Sequence, residues 1–450
     1  MNLMMAFGWA GVMICIGVYL RAKISVLRNM LVPASVIAGI LGFGFVNFFL
    51  YAGISIGTDT QMYTAIVNHL FTISFISISL TESGLRKEKR HVIKGAVALG
   101  FIWCLLYALT PLIAASILAV LGKYVTINVI YGMLVPFAFC QGPGQAAAYG
   151  AIFEQYGWQN ASAVAITFAS IGFIVAFLIG IPAAKTGIKK GIARYCGRLD
   201  EAVLKGYLKK NEQIEYAVRE TTCSNNIETL AFHFALIGVC YILAVGISKI
   251  LGFLPGFMGT SMSSMMFMNG MYAACLVKWF MKKLNIDFLQ ETTLQSKITG
   301  WAADYLIVCA FMSVSAGVIS EWLVPIIIVS AVTTIVTFFV CFYFGQRIGG
   351  ENDFERTLGL YGTCTGTVPS GISLVRIVDP YFKTTTAIEL GACNFVMLAS
   401  TPVYFIILAL ASGSITLTKA MILLAVCVLI YLAMLKITKS WGIKPICGYR

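Results

Sequence analysis

The 450-residue sequence predicts an all-α polytopic membrane protein. It is read as two inverted repeats of five transmembrane helices, each with a re-entrant hairpin, plus one extra C-terminal helix. Three observations carry this. Hydrophobic residues are 59% of the chain and charged residues only 11%, against about 25% charged in soluble domains. Apolar runs near the roughly 20 residues needed to cross a bilayer recur from end to end. Two further apolar segments are interrupted by polar, helix-breaking stretches, Gln141–Gln145 and Cys364–Gly371.

Spans 1 and 2 cover about 3–20 and 32–51, and Arg21, Lys23 and Arg28 lie between them. Span 3, about 68–81, precedes Arg86, Lys87, Lys89, Arg90 and Lys94. Span 4 is about 95–121. The first interrupted segment is 128–153, and span 5 runs about 161–182. Residues 1–184 form the first repeat. A polar stretch, 185–229, follows as a linker on the cytoplasmic side, either a solvated helix or an amphipathic helix on the membrane surface. Spans 6 to 9 are about 230–251, 255–279, 303–320 and 323–344. The second interrupted segment is 354–378, and span 10, about 384–410, completes the second repeat, 230–411. Span 11, about 416–435, and a basic tail make up 412–450. The apolar run at the N-terminus lacks a positive region before it, so it reads as a retained helix and not a signal peptide.

Four sequence pairs recur in the same order. Leu31-Val-Pro33 matches Phe253-Leu-Pro255, Phe75–Ser79 matches Phe311–Ser315, Cys140 matches Cys364, and Pro182 matches Pro402. Their offsets are 222, 236, 224 and 220 residues, the mark of a duplicated unit. If the interrupted segments dip in and return, only Lys123, Lys249 and Lys419 of the 32 Lys and Arg fall on one side of the membrane. If both segments crossed, the basic linker would change sides. The positive-inside bias therefore selects re-entrant hairpins. Five spans per half is odd, so the halves are inverted. The N-terminus lies outside, the C-terminus lies in the cytoplasm, and the hairpin tips can meet near the midplane, where inverted-repeat transporters build their sites.

The 13 cysteines are mostly single and inside apolar segments, with no C-x-x-C, which points to neither zinc nor a redox pair. The net charge of +13 is dispersed over short loops and forms no nucleic-acid patch. An H-E-x-x-H motif, paired intramembrane aspartates and a nucleophile elbow are all absent, which argues against an enzyme.

The Pro-led span 2, the Ser-bearing span 3, both interrupted segments and the Tyr156-Gly157…Asn160-Ala161 stretch resemble the bacterial sodium/glutamate symporter family over most of the chain. The resemblance implies Na⁺-coupled uptake of glutamate or a related acidic amino acid across the cytoplasmic (inner) membrane by alternating access. It also implies no cofactor beyond Na⁺ as coupling ion, and it allows a homodimer. The alternatives are a Na⁺- or H⁺-coupled carrier of another small organic anion, and a channel with paired filters. The family's first tip reads Gly-Gly-His-Gly-Thr-Ala, whereas this chain has Gln141-Gly142-Pro143-Gly144-Gln145-Ala146. The second usually has Ala-Thr-Pro-Thr-Ala, and here it is Thr367-Val368-Pro369-Ser370-Gly371.

For an anionic substrate, half-helices beginning near Gly144 and Ser370 offer free amides and positive dipole ends. Gln141, Gly142, Gly144, Gln145, Thr365, Gly366, Thr367 and Ser370 are the candidate substrate contacts, with Arg376 as a possible carboxylate partner. Sodium prefers oxygen. Its candidate ligands are Ser77 or Ser79, Ser313 or Ser315, freed carbonyls near Gly142, Cys364 and Gly366, and Glu389 and Asn394 inside span 10, where the sequence shows no local cation.

Overall fold

The computed structural model describes residues 2–29, 32–81, 90–122, 124, 126–193, 220–223, 225–255, 257–320, 322–379 and 383–442. The regular elements among them are helices. The first half contains α1 (Asn2–Lys23), α2 (Ala34–Tyr51), α3 (Thr60–Leu80) and α4 (Arg90–Leu121). A 3₁₀ turn (Val129–Leu134) then leads to α5 (Val135–Phe139), α6 (Pro143–Gln155) and α7 (Ala161–Lys189). The second half has α8 (Thr229–Leu251), α9 (Phe257–Ser264), α10 (Met266–Lys283), α11 (Thr292–Met312) and α12 (Leu323–Gly345). After it come α13 (Asp353–Cys364), α14 (Val368–Val378), α15 (Thr386–Met397), α16 (Thr401–Ala411) and α17 (Leu417–Ile437).

Among the described residues, nine helical stretches are long and apolar enough to cross a membrane. Eleven were expected, and the difference lies in spans 7 and 8. Span 7 is divided because Met265, at φ −78° and ψ 60°, leaves the helical region between α9 and α10. Asn269 Nδ2 bridges that gap to the Met262 carbonyl at 3.1 Å. Span 8 begins eleven residues earlier than expected, in polar sequence. Glu291 caps it, its carboxylate accepting the Leu294 N–H at 2.5 Å. It also ends early, at Met312. There Asn47 of α2 donates to the Val314 carbonyl at 2.9 Å and accepts the Ala316 N–H at 2.8 Å, satisfying backbone that the helix has released. Pro182 does not close span 5, since α7 continues through it to Lys189 and past the expected boundary at 184. Most of the predicted linker, 194–219, lies outside the described residues, as does the tail from 443.

The helices sort into two bundles by their contacts. In one, α3 packs along α11 and α10, α1 along α2, and α8 along α10. In the other, α4 packs against α15, α12 and α17, α7 against α6 and α5, and α13 against α14 and α12. The pairings recur with the halves exchanged: α1·α2 with α8·α10, α2·α11 with α10·α3, α6·α7 with α14·α15, and α4·α15 with α12·α7. The main bridge between bundles is α6, which touches α3, α11 and α9. Small residues permit the closest approaches. A Cβ on Gly150 would lie 2.3 Å from the Ser162 Cα, and one on Gly132 would lie 2.8 Å from the Ala115 nitrogen.

Glu389 has a cation that the sequence did not reveal. Arg356 of α13 meets it with two hydrogen bonds, Nε to Oε2 and Nη2 to Oε1, both 2.6 Å. Thr385 donates to Oε1 at 2.8 Å, and Arg356 Nη1 also reaches Asp353 at 3.1 Å. Glu389 is 0% exposed and Arg356 4%. The fork-on-fork geometry is the strong form of such pairs, and it occupies both carboxylate oxygens. The expectation of Glu389 as a sodium ligand is thereby corrected: its counter-ion is a guanidinium carried by the neighbouring interrupted segment. Removing one partner of a buried pair costs about 3–5 kcal/mol, because the other charge stays buried. Arg356→Met should lower stability by about that amount. Arg356→Met combined with Glu389→Met should recover most of it. Thermal unfolding of the purified protein in detergent checks this, and an unchanged midpoint in the single variant would remove the pair from the protein's main supports.

Candidate substrate site at the paired helix breaks

Pro143 causes the first break. It has no N–H to give the Phe139 carbonyl, so the ladder stops. Cys140 N–H closes the last turn on Pro136 at 3.1 Å, and Gly142 N–H closes on Ala138 at 3.0 Å. Gly142 then turns the chain at φ 82°, a left-handed value that suits glycine, and α6 starts with Pro143 in its first turn. The Cys140 carbonyl is taken by Trp103 Nε1 at 2.9 Å. At the second break, Thr367 is the N-cap of α14. Its hydroxyl accepts the Ser370 N–H, while Ser370 Oγ accepts the Thr367 N–H at 3.3 Å, a capping box built from Thr and Ser. Thr365 Oγ1 folds back on the Tyr361 carbonyl at 2.7 Å.

The two tips touch. A Cβ on Gly142 would lie 2.4 Å from Thr367 Cγ2 and 3.1 Å from the Gly366 oxygen. A Cβ on Gly144 would lie 2.0 Å from the Phe71 ring, so α6 presses directly on α3. Beside the tips is a cavity of about 130 Å³ between the two bundles. Gln141 and Gln145 line it from the first tip, and Thr363, Thr367 and Val368 from the second. Phe71, Ser74 and Phe75 of α3, Phe267 and Met271 of α10, and Thr299 and Leu306 of α11 form the opposite wall. Asn394 of α15 and Thr401 and Tyr404 of α16 close it. Gln145 is only 1% exposed, and its Oε1 accepts from the Tyr107 hydroxyl at 3.5 Å. Gln141 Nε2 donates to the Tyr404 hydroxyl.

Of the predicted residues, Gln141, Gln145, Thr367 and Asn394 therefore share one cavity, with Gly142 and Gly366 forming the tip contact. Ser370 acts as a cap and Thr365 as a backbone brace. Arg376 is exposed in the last turn of α14 and does not line the cavity, which corrects its role as a carboxylate partner. The serines expected for sodium also face elsewhere. Ser77 Oγ donates to the Gln295 carbonyl at 2.8 Å, Ser313 Oγ to Ala310 at 2.7 Å, and the Ser79 carbonyl accepts from Lys278 at 3.3 Å. Ser315 occupies the N-cap position of the short Ala316–Ile319 turn and does not line the cavity. The Gly142 carbonyl accepts Ala146 N–H at 3.1 Å and is not free. Cys364 is fully buried behind the tip. The serine that does line the cavity is Ser74. Its signal was present in the sequence: Phe71, Ser74, Phe75 and Ile78 fall at i, i+3, i+4 and i+7, one face of a helix.

Two polar helix breaks meeting at a cavity between helix bundles are the arrangement of a secondary membrane transporter. The family model described as sodium/glutamate symporter matches residues 1–384, and the chain belongs to that family. It is a multi-pass membrane symporter whose substrates are glutamate and the sodium ion. No curated individual protein matches the chain. Glu389, Asn394 and α17 lie beyond the matched region.

Gly144→Ala places a methyl inside the Phe71 ring, so Na⁺-driven glutamate uptake should fall at least tenfold while the protein still reaches the membrane. Uptake in vesicles, normalised to immunodetected protein, checks this. Near-parental uptake would mean that the contact between α6 and α3 is dispensable.

Proposed function

We propose that this symporter imports glutamate with Na⁺ across the cytoplasmic membrane by alternating access around the two tips. Repeats 1–184 and 230–411 are inverted relative to each other, and 128–153 and 354–378 are re-entrant. The linker 185–229 and the C-terminus are cytoplasmic, 412–450 adds one span and the tail, and the N-terminus is outside. The observation that carries this reading is the tip-to-tip contact of Gly142 with Thr367 beside a cavity between two bundles. The recurrence of helix pairings with the halves exchanged supports the repeat, and the one-sided distribution of Lys and Arg supports the orientation.

Substrate binding is assigned to Gln141, Gln145, Thr367 and Asn394, with the amides at the starts of α6 and α14. For Na⁺, the carbonyls of Cys364 and Gly366 are the preferred ligands. The Ser370 N–H goes to the Thr367 hydroxyl instead of the Gly366 carbonyl, and no helical ladder bond ends on Cys364. A homodimer is compatible with the exposed apolar faces of α1 and α8, whose spans are both only 22% buried.

Purified protein in proteoliposomes should concentrate radiolabelled glutamate only when an inward Na⁺ gradient is imposed. Uptake indifferent to Na⁺ would overturn the coupling. In a background otherwise free of cysteine, Cys223 and a Lys87→Cys thiol should react with an impermeant reagent from the same side of the membrane. Reaction from opposite sides would overturn the re-entrant topology.

A further inference from the structure

The two breaks differ in how their released carbonyls are met. At the first, the Trp103 indole takes the Cys140 carbonyl. At the second, Pro369 has no N–H to give the Thr365 carbonyl. The Ser370 N–H goes to the Thr367 hydroxyl, and the Val368 N–H makes no bond back to Cys364. Among the described residues, the carbonyls of Cys364, Thr365 and Gly366 therefore accept no hydrogen bond, and all three residues are buried. They sit at the C-terminal end of α13, where a helix carries partial negative charge.

The face of α12 turned toward this break is a row of hydroxyls. A Cβ on Gly345 would lie 2.0 Å from Thr357 Oγ1, the Phe338 ring lies 5.8 Å from the Tyr361 ring, and Cys341 meets Cys364. The two helices are thus antiparallel neighbours. Thr337, Cys341 and Gly345 follow at intervals of four, one above another on a single helix face. That face brings Thr337 level with the turn at Thr365, and Thr333 and Ser330 continue it. Ser330, Thr333 and Thr337 are buried, and among the described residues their hydroxyls have no hydrogen-bond partner. Thr334 beside them is paired, donating to the Ser330 carbonyl at 2.7 Å.

Unpaired buried hydroxyls beside unpaired carbonyls are unfavourable unless something binds between them. Every group in this set is a neutral oxygen. Among the described residues, no group of three or more His, Cys, Asp or Glu is placed to hold a metal, and the nearby Glu389 is committed to Arg356. A divalent ion draws on carboxylates, whereas neutral oxygens at a half-helix C-terminus suit a monovalent cation. We propose that Na⁺ binds behind the second tip, where the Thr337 and Thr333 hydroxyls of α12 join the carbonyls of the Cys364–Gly366 turn as its ligands. The site rests on the Na⁺ coupling proposed above and adds to it a helix outside both interrupted segments.

The test uses the full chain and two readouts. One is the Na⁺ concentration giving half-maximal glutamate uptake in proteoliposomes. The other is the Na⁺ concentration giving half of the rise in unfolding midpoint in detergent, without glutamate and with choline keeping the ionic strength constant. Thr337→Val and Thr333→Val keep the shape and remove the oxygen, and each should raise both concentrations at least fivefold. Thr334→Val, which removes a hydroxyl already paired, should leave both unchanged. Thr337→Ser should restore the Na⁺ response lost in Thr337→Val, and a serine variant as impaired as the valine one would assign Thr337 to packing and overturn its role. If Thr337→Val does not fold, Thr333→Val decides by the same criterion. Parental Na⁺ concentrations in the valine variants, with glutamate uptake still driven by Na⁺, would overturn this site and spare the coupling. A shift in uptake without a shift in stabilisation would likewise overturn the ligand assignment. Uptake by the parent protein that is indifferent to Na⁺ would overturn both.

Discussion

Hydrocarbon offers no hydrogen bonds, so every peptide group released from a helix inside a membrane must find a partner in the protein. The organisation of this molecule follows from that requirement. Pro143 and the Cys364–Thr367 turn release backbone in the buried interior, and nearby side chains supply what is missing. Trp103 reaches the Cys140 carbonyl from α4. Thr365 and the Thr367–Ser370 box brace the second break from within. Asn47 does the same for the gap that ends α11. The cavity beside the breaks is lined by polar side chains from both, Gln141, Gln145, Thr363 and Thr367.

The second support is electrostatic. Arg356, Glu389, Asp353 and Thr385 form one buried network that ties α13 to α15, with Gly95 of α4 packed so closely that a Cβ there would lie 2.4 Å from the Glu389 carboxyl group. A network of this kind gives little net stability relative to an apolar core of the same shape, but a half-broken one is strongly unfavourable. It therefore enforces a single register between the second interrupted segment and the last span of its repeat.

Much of this was legible in the residues. Proline, glycine and polar side chains within apolar runs marked both breaks, and hydropathy marked eleven spans, nine of which are long apolar helices among the described residues. The break at Met265 was not legible, because Ser-Met-Ser-Ser-Met-Met contains neither Gly nor Pro. Nor was the start of α11 in the polar Thr292–Lys297 stretch, where a cap by Glu291 and its tie to His233 at 2.7 Å outweigh hydropathy. Arg356 and Glu389 are 33 residues apart in sequence, so their pairing is a tertiary fact. For the cavity, the two glutamines and Thr367 followed from the breaks. The aromatic wall did not, because periodic apolar residues look the same whether they face a core or a ligand.

The contact between Gly142 and Thr367 has a thermodynamic corollary. Because the tips touch, a ligand that fixes the position of one restricts the other, and the two binding equilibria become linked. Linkage is reciprocal: the factor by which the cation tightens the amino acid must equal the factor by which the amino acid tightens the cation. One glycine-to-threonine contact is thus a place where a displacement of either tip is felt by the other.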